Sequence, residues 1–308
     1  MKYKVAIQCL FLLLIISLPA MGQERGQYLP GFSGLNSGIQ APEGPTYANI
    51  FYWYPTSSFK DQDGNKAAIN FNLDLLVDFN VLAYTTKAKF LGAKYGASIG
   101  VPIVNNAVDL PRLNLATSPA GIGDTYVEPI NLGWSVKKAN IKLAYGFVAP
   151  TGKYDSNGND TTTTDYWGHE ITFATTAYLD KTKLTQISFN SNWEFHQKKR
   201  HEDLKVGNNV TLEAGVGKIF IKNGGKQLIQ FGGVGYAEFQ LTKDSGTAVP
   251  VLTRNNKDRV FAIGPELGVI WPAKKLNFLV RVLPEFGARN RTSGVTVVFA
   301  IGKSFKKG

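Results

Sequence analysis

The chain has 308 residues, of which 44% are hydrophobic and 19% charged, and its formal net charge at pH 7 is +11. The lysines occur in separated pairs along the chain rather than in one patch or stripe, which argues against a nucleic-acid-binding protein. With a single cysteine, the chain has no disulfide framework.

The N-terminus is predicted to be a cleaved secretion signal over residues 1–22. Lys2 and Lys4 precede an apolar run at 10–18, and small residues follow that run. The run is shorter than the ~20 residues that a membrane-spanning helix needs. Because Cys9 lies in this signal, we expect the mature chain to contain no thiol.

The next segment, residues 23–44, is rich in proline and glycine and precedes the first strand-like pattern. Two arrangements are consistent with this composition. The segment forms either a periplasmic tail or a plug that folds back into a barrel lumen.

Residues 69–83 alternate between apolar and polar side chains, with the apolar residues at the odd positions. A period of two indicates a β-strand, and its length matches the roughly 9–11 residues that a tilted strand needs to cross a membrane. Charged side chains are costly on a lipid-facing surface. We therefore expect Asp74 and Asp78 to point into the lumen and the apolar residues from Ile69 to Val81 to face lipid.

Twelve segments of this kind follow one another along the chain. They lie at 45–54, 68–86, 91–104, 123–134, 139–150, 167–179, 183–196, 207–220, 226–241, 259–271, 275–287 and 294–305. Long polar connections alternate with short ones, which is typical of the extracellular loops and periplasmic turns of outer-membrane barrels. The sequence predicts an all-β fold, a transmembrane antiparallel up-and-down β-barrel of about 12 strands over residues 45–305, with a tail at 306–308. The facing of 123–134 and 207–220 stays open.

Lysine pairs mark the short turns. The pairs taken as candidate contacts with the periplasmic leaflet are Lys137 with Lys138, Lys181 with Lys183, and Lys274 with Lys275. Lysine side chains can extend to lipid phosphates and so help to fix the depth of a barrel. Plain solubility of the turns is the alternative.

Several short stretches, in order along most of the chain, resemble an outer-membrane barrel family associated with meta-pathway phenol degradation. They are Pro30-Gly31, Gly34-Leu35-Asn36-Ser37-Gly38, Phe59-Lys60-Asp61-Gln62-Asp63-Gly64-Asn65, Gly92-Ala93-Lys94-Tyr95-Gly96, Gly121-Ile122-Gly123-Asp124, Ala149-Pro150-Thr151-Gly152-Lys153-Tyr154, Lys257-Asp258-Arg259-Val260, Gly264-Pro265-Glu266 and Leu283-Pro284-Glu285-Phe286-Gly287-Ala288-Arg289. The resemblance implies a twelve-stranded barrel that passes small, often aromatic or hydrophobic compounds across the outer membrane. It does not imply a defined substrate.

Carboxylates are frequent inside the predicted strands. The candidate lumen-lining residues are Asp74, Asp78, Glu194, Tyr236, Glu238, Glu266, Arg281 and Glu285. Inward carboxylates would favour cations or neutral polar molecules and disfavour anions. The alternative is a structural hydrogen-bond network that fills a narrow lumen, to which Arg281 and Glu285, four residues apart on one strand face, would belong.

The sequence offers little for catalysis. The three histidines, His169, His196 and His201, lack metal-ligand spacing, and we expect no enzyme activity, cofactor or metal site. We expect a passive uptake channel for small organic compounds in the outer membrane of a Gram-negative bacterium, or, as the alternative, a structural or adhesive barrel with a sealed lumen. Its expected partners are outer-membrane lipids, small organic solutes and the barrel-assembly machinery, with no nucleic acid, and we expect a monomer.

Overall fold

The computed structural model describes residues 26–249 and 255–305, so the predicted signal and the C-terminal tail lie outside the described residues. Twelve long strands dominate the described part of the chain. They are β1 (Gly44–Thr56), β2 (Asn72–Phe90), β3 (Ala93–Leu110), β4 (Thr125–Ser135), β5 (Ala139–Ala149), β6 (Gly168–Tyr178), β7 (Thr185–His196), β8 (Asn209–Lys222), β9 (Gln227–Gln240), β10 (Arg259–Trp271), β11 (Leu276–Arg289) and β12 (Val295–Ser304).

Each strand pairs antiparallel with the strand before it and the strand after it, and β1 pairs with both β2 and β12. The sheet therefore closes on itself. Closure leaves no strand edge exposed, which is what allows a β-sheet to span lipid. The predicted twelve-stranded transmembrane barrel is confirmed. Among the described helices, none has the length and apolar character to cross a membrane.

The two ends of the barrel differ in their connections. At the short-turn end, β2 and β3 are joined by Leu91 and Gly92 alone, both with positive φ (50° and 80°), as a tight hairpin turn requires. At the long-loop end, extra strands brace the connections: Phe59–Lys60 pairs with Arg291–Thr292, and Leu115–Thr117 and Ala120–Ile122 add to β3. One-turn 3-10 helices occur at Pro111–Leu113, Asn223–Gly225 and Pro272–Lys274.

The candidate leaflet lysines all lie at the short-turn end. Five of the six are exposed, namely Lys137, Lys138, Lys181, Lys183 and Lys274, and Lys275 is half-buried. The ammonium nitrogen of Lys183 lies 5.1 Å from the centre of the Tyr178 ring. Their contact with lipid stays a prediction.

Alternation along β7 separates the two faces of the wall cleanly. Ile187, Phe189 and Trp193 are exposed on the outside, at 47%, 38% and 41% of their full accessible surface. Asn190 and Glu194, which directly follow Phe189 and Trp193 in the chain, are buried in the interior. An apolar outer belt around a polar interior is the expected arrangement for a barrel in lipid.

The prediction for β2 is wrong: its faces are reversed. Leu75 and Val77 line the interior, while Asp74 and Asp78 lie on the outer face of the barrel. The outer face of β2 also carries apolar side chains, such as Leu82, which is 55% exposed. The inner face of β2 is apolar and its outer face carries both polar and apolar side chains, so alternation alone does not decide which face points inward.

Side chains from β1 offset the cost of placing these carboxylates outside. The indole nitrogen of Trp53 donates to Asp74 Oδ1 over 2.7 Å, and the Asn49 amide donates to Asp78 Oδ1. A charged residue on the lipid face costs up to roughly 2–4 kcal/mol at the bilayer midplane, and less for a carboxylate than for a lysine or arginine. Hydrogen bonds to the carboxylates reduce that cost.

Asp203 ties two of the long loops together. Its carboxylate accepts hydrogen bonds from the Thr247 amide and hydroxyl, at 3.0 and 2.6 Å, and forms an ion pair with Lys198 at 2.7 Å. The Lys205 and Ser245 backbones pair beside it. Hydrogen bonds from Lys198 and from Thr247 hold the pKa of Asp203 below its usual range.

We expect this loop contact to be pH-dependent. Because the folded-state pKa of Asp203 lies below the unfolded value of about 4, its contribution is present above that pH and is lost as pH falls through the folded value. Asp203→Asn should therefore accelerate amide hydrogen exchange at Thr247 several-fold at pH 6. The measurement is exchange followed by mass spectrometry, corrected for intrinsic rates. Asp160→Asn, in a different loop, is the matched control and should leave Thr247 unchanged.

Candidate functional site

Residues 26–43, here called the inner segment, lie within the barrel. Near the long-loop end, Gln27 donates to the Tyr166 carbonyl over 3.1 Å. Towards the short-turn end, the Gln40 amide donates to the carbonyls of Lys94 and Asn131 over 3.2 and 3.1 Å. The segment therefore runs down the lumen before β1 begins.

Two lumen carboxylates hold the first part of the inner segment. Glu194 accepts hydrogen bonds from the backbone amides of Gln27 and Tyr28, at 2.6 and 2.8 Å. Glu213 accepts from the Gly31 amide at 3.0 Å and from the Tyr28 hydroxyl at 2.9 Å. The segment has no regular secondary structure, so these side chains supply partners that its buried backbone needs.

A buried ion pair holds the next part. Arg281 Nε donates to Glu266 Oε2 over 2.5 Å, and both side chains are at most 5% exposed. Arg281 Nη1 also donates to the carbonyls of Gly31 and Phe32, each over 2.8 Å, and Glu266 accepts from the Leu35 amide at 3.3 Å. This pair therefore satisfies donors and acceptors of the segment together.

Leu35 anchors the segment against one wall of the barrel. Its side chain is completely buried in a cluster with Val234 and Leu283, among others. The wall can approach so closely because it carries glycines: a Cβ at Gly217 would lie 2.5 Å from Leu35 Cδ1, and one at Gly232 would lie 3.0 Å away. Small residues in β8 and β9 thus make room for the inner segment.

Because the inner segment packs on that side, a cavity of about 460 Å³ remains beside the opposite wall. Ile50, Leu73, Leu75, Val77 and Phe79 give it an apolar side. Phe32 of the inner segment closes this side. Its ring centre lies 5.5 Å from that of Phe79 and 6.3 Å from that of Tyr52.

The other side of the cavity is polar. Glu170 accepts from the Asn192 amide over 2.9 Å, and Glu128 accepts from the Asn131 amide over 2.6 Å and from the Tyr126 hydroxyl over 3.3 Å. Lys142 of β5 lines the cavity as well. The cavity therefore combines one apolar wall with a set of hydrogen-bond acceptors.

Towards the long-loop end, a second network lines the interior. Glu285 accepts from the hydroxyls of Tyr54 and Tyr236, at 2.6 and 2.9 Å. Arg291 pairs with Glu238 at 3.0 Å, and with Asp258 at 3.1 Å. Four threonines of the loop between β5 and β6, Thr161 to Thr164, also reach the cavity, which therefore extends to the long-loop end.

The structure places six of the eight candidate lumen residues in the interior. They are Glu194, Tyr236, Glu238, Glu266, Arg281 and Glu285, and each contacts the inner segment or the networks described above. Asp74 and Asp78 lie outside. Sequence reasoning missed the apolar cavity residues of β2, because their alternation matched that of a lipid-facing strand.

The three histidines serve structural contacts at separate places. His196 is buried and bonds to the Gly207 carbonyl over 2.8 Å, His169 to the Tyr145 hydroxyl over 2.9 Å, and His201 to Asp165 over 2.7 Å. Across residues 26–249 and 255–305, no group of three or more histidine, cysteine or acidic side chains could hold a metal ion.

We expect Glu266→Gln to destabilise the folded barrel by about 3–5 kcal/mol, because it leaves the buried Arg281 guanidinium without its charge partner. Denaturant unfolding of the refolded protein in detergent micelles measures this free energy. Asp63→Asn, in an exposed loop, is the control, and equal stability of the two variants would contradict the prediction.

The model of one protein family, described as "Putative MetA-pathway of phenol degradation", matches residues 56–301. No curated protein matches the chain.

Solved structures are similar in fold. An outer membrane channel from Pseudomonas putida F1 is 12% identical, covers 91% of this chain and 100% of its own, and has a TM-score of 0.70. The beta domain of the Bordetella autotransporter BrkA is 9% identical, covers 86% of this chain and 100% of its own, and has a TM-score of 0.53. At sequence identities of 12% and 9%, the similarity shows that this chain shares the barrel fold of these proteins.

Proposed function

Because the chain belongs to this phenol-degradation family, we propose that it is an outer-membrane channel for passive uptake of small apolar organic molecules, aromatic compounds among them. The barrel fold, shared with an outer membrane channel, supports this proposal. The observation that carries it is the cavity inside the barrel, with its apolar wall from β1 and β2.

The cavity has the dimensions and lining of a small-molecule site. Its volume, about 460 Å³, lies within the range of roughly 300–1,000 Å³ that is usual for ligand pockets. Leu73, Leu75 and Val77 present side chains that water solvates poorly. An apolar solute that covers them gains about 25 cal/mol for each Å² of apolar surface removed from water.

The proposed path begins at the long-loop end. Thr161 to Thr164 line the cavity there, so a solute from outside first meets these loop residues. Val81 and Lys142 lie further towards the short-turn end. Phe32 of the inner segment borders this route. Flux would run down the solute gradient.

We expect Val77→Asn to reduce uptake of an apolar aromatic probe such as toluene. A polar amide in the apolar wall raises the free energy of the occupied cavity by about 1–3 kcal/mol, which corresponds to a decrease in occupancy of roughly fivefold to 150-fold. The measurement is probe accumulation in proteoliposomes that contain the refolded barrel. Val216→Asn, on the outer face of β8, is the control, and equal uptake by both variants would contradict the prediction.

The carboxylate of Glu128 should set the charge preference of the cavity. Glu128 repels an organic anion such as benzoate more than an uncharged aromatic alcohol of similar size. Replacing Glu128 by glutamine should raise the ratio of benzoate uptake to benzyl alcohol uptake several-fold. The same proteoliposomes measure both solutes, and an unchanged ratio would show that this carboxylate does not select cargo.

A structural barrel with a sealed lumen is the second candidate, because hydrogen bonds to Glu194, Glu213 and Glu266 hold the inner segment inside the lumen. The two candidates differ in flux. If the folded protein passes neither ions nor apolar probes, the sealed barrel is favoured. If apolar probes pass while ion conductance stays low, the uptake channel is favoured.

A further inference from the structure

Arg259 and Arg289, here called the arginine pair, lie directly opposite each other where β10 begins and β11 ends, at the long-loop end of the barrel. Directly opposite residues of antiparallel strands have Cα atoms about 4.5–5.5 Å apart. Two like charges in this arrangement repel each other and destabilise the sheet. An anion bound between the two guanidinium groups would remove that cost.

A β-bulge gives Arg289 this position. The inward residues of β11 alternate up to Glu285, so unbroken alternation would turn residue 289 into the lumen. At Gly287 the backbone has a φ of 61°, and the register with β10 shifts. Ala288 consequently packs in one buried cluster with Val260, and Arg289 is exposed on the outer face. Bulges re-aim side chains in this way next to functional sites.

The described residues provide no acidic partner for the arginine pair. Asp258, next to Arg259 in the chain, pairs with Arg291 at 3.1 Å instead. Asp61, whose loop contacts the end of β11, accepts from backbone amides of its own loop. The buried Nε of Arg259 has no hydrogen-bond partner in the described part of the chain. The positive charge of the pair is therefore not compensated by these neighbours.

Lys257 adds a third positive charge. It lies two residues before Arg259 and is exposed. The Asn290 amide donates to its carbonyl over 2.9 Å, which holds Lys257 beside the end of β11. Its ammonium group donates to the Leu241 carbonyl over 2.6 Å, a contact that leaves the charge in place. Three cations thus lie close together on the rim of the barrel, a pattern that favours an anionic ligand.

Three phenylalanines adjoin the arginine pair on the outer face, and they are here called the aromatic ledge: Phe239, Phe261 and Phe286. Phe239 is the direct partner of Arg259 on β9, and Phe261 is the direct partner of Phe286. The ring centre of Phe261 lies 5.6 Å from that of Phe239 and 5.9 Å from that of Phe286. The guanidinium carbon of Arg259 lies 5.8 Å from the Phe261 ring centre. Charge and aromatic surface therefore form one continuous feature.

The arginine pair marks the edge of the apolar belt. Towards the short-turn end from the aromatic ledge, Ile263 is 64% exposed, and Leu267 and Val282 are exposed as well. Aromatic side chains with cations beyond them are typical of the membrane interface of a barrel. The pair therefore lies at the level of the lipid headgroups, and the ledge faces the acyl chains.

We propose that the arginine pair binds a phosphate group of a lipid in the leaflet at the long-loop end, with an acyl chain of that lipid against the aromatic ledge. Guanidinium groups bind phosphate oxygens through two parallel hydrogen bonds each, which suits a phosphate held between two arginines. The long loops of outer-membrane barrels lie outside the cell, where the phosphorylated lipid is lipopolysaccharide. The occupant is therefore its lipid A, and the proposal is independent of what the barrel transports.

Lipid binding to the refolded barrel in detergent micelles tests this site. The probe is diphosphoryl lipid A, and the comparison is the same lipid after enzymatic removal of its phosphates. Native mass spectrometry measures the bound fraction of each lipid. The wild-type barrel should bind the phosphorylated lipid roughly tenfold or more tightly, because only this lipid offers acceptors to the guanidinium groups. Equal binding of the two lipids would overturn the proposal.

A double variant assigns the binding to the arginine pair. Arg259→Gln with Arg289→Gln should lower the affinity for diphosphoryl lipid A by roughly tenfold or more. Lys87→Gln with Lys89→Gln, at the short-turn end, removes the same charge and is the matched control, which should bind like the wild type. Equal losses in both double variants would show attraction by net charge alone and would overturn the site. Heat-modifiable gel mobility reports that each variant is folded.

The same arginine variant separates lipid binding from a structural role. In micelles without lipid A, it should unfold at no lower temperature than the wild type, because the substitutions remove a repulsion. A clearly lower unfolding temperature would show that the arginines serve contacts within the protein, against the proposal. Excess inorganic phosphate should leave lipid A bound, since it cannot replace the contact with the aromatic ledge. Displacement by inorganic phosphate would show a free-anion site and overturn the lipid assignment.

Discussion

Every backbone amide and carbonyl at membrane depth needs a partner inside the protein, because lipid offers none. The twelve strands meet this requirement by closing into a barrel. The inner segment cannot meet it alone, since it has no regular hydrogen-bonded structure. Glu194, Glu213 and Glu266 accept from its amides, and Arg281 donates to its carbonyls. The inner segment therefore depends on the polar side chains of the lumen that surround it.

The position of the inner segment makes the lumen asymmetric. The glycines of β8 and β9 let Leu35 approach one wall closely, so the segment packs there rather than along the centre. The remaining space lies against β1 and β2, whose inward side chains are apolar. One barrel thus has a polar wall that binds its own segment and an apolar wall available to a solute.

The same asymmetry explains the facing of β2. The inward apolar side chains line the cavity, and the polar positions are consequently placed outside. There Asp74 and Asp78 find donors on β1, because Trp53 and Asn49 are outward in the matching register. A strand whose inner surface is apolar and whose outer surface is partly polar is the reverse of the usual pattern of a barrel in lipid.

The sequence by itself determined the strand count, the alternation of long and short connections and the barrel class, because each depends on local periodicity and turn composition. It also identified six interior residues, such as Glu194 and Arg281, on strands whose outer face is uniformly apolar or whose alternation is clear. Only the tertiary structure decided which face of β2 points into the lumen. That choice depends on the register of β2 with β1 and on what fills the lumen. The position of the inner segment was likewise decided by contacts between residues far apart in the chain. Leu35 meets Gly217 and Gly232 only once the barrel has closed, so no local pattern carries that information.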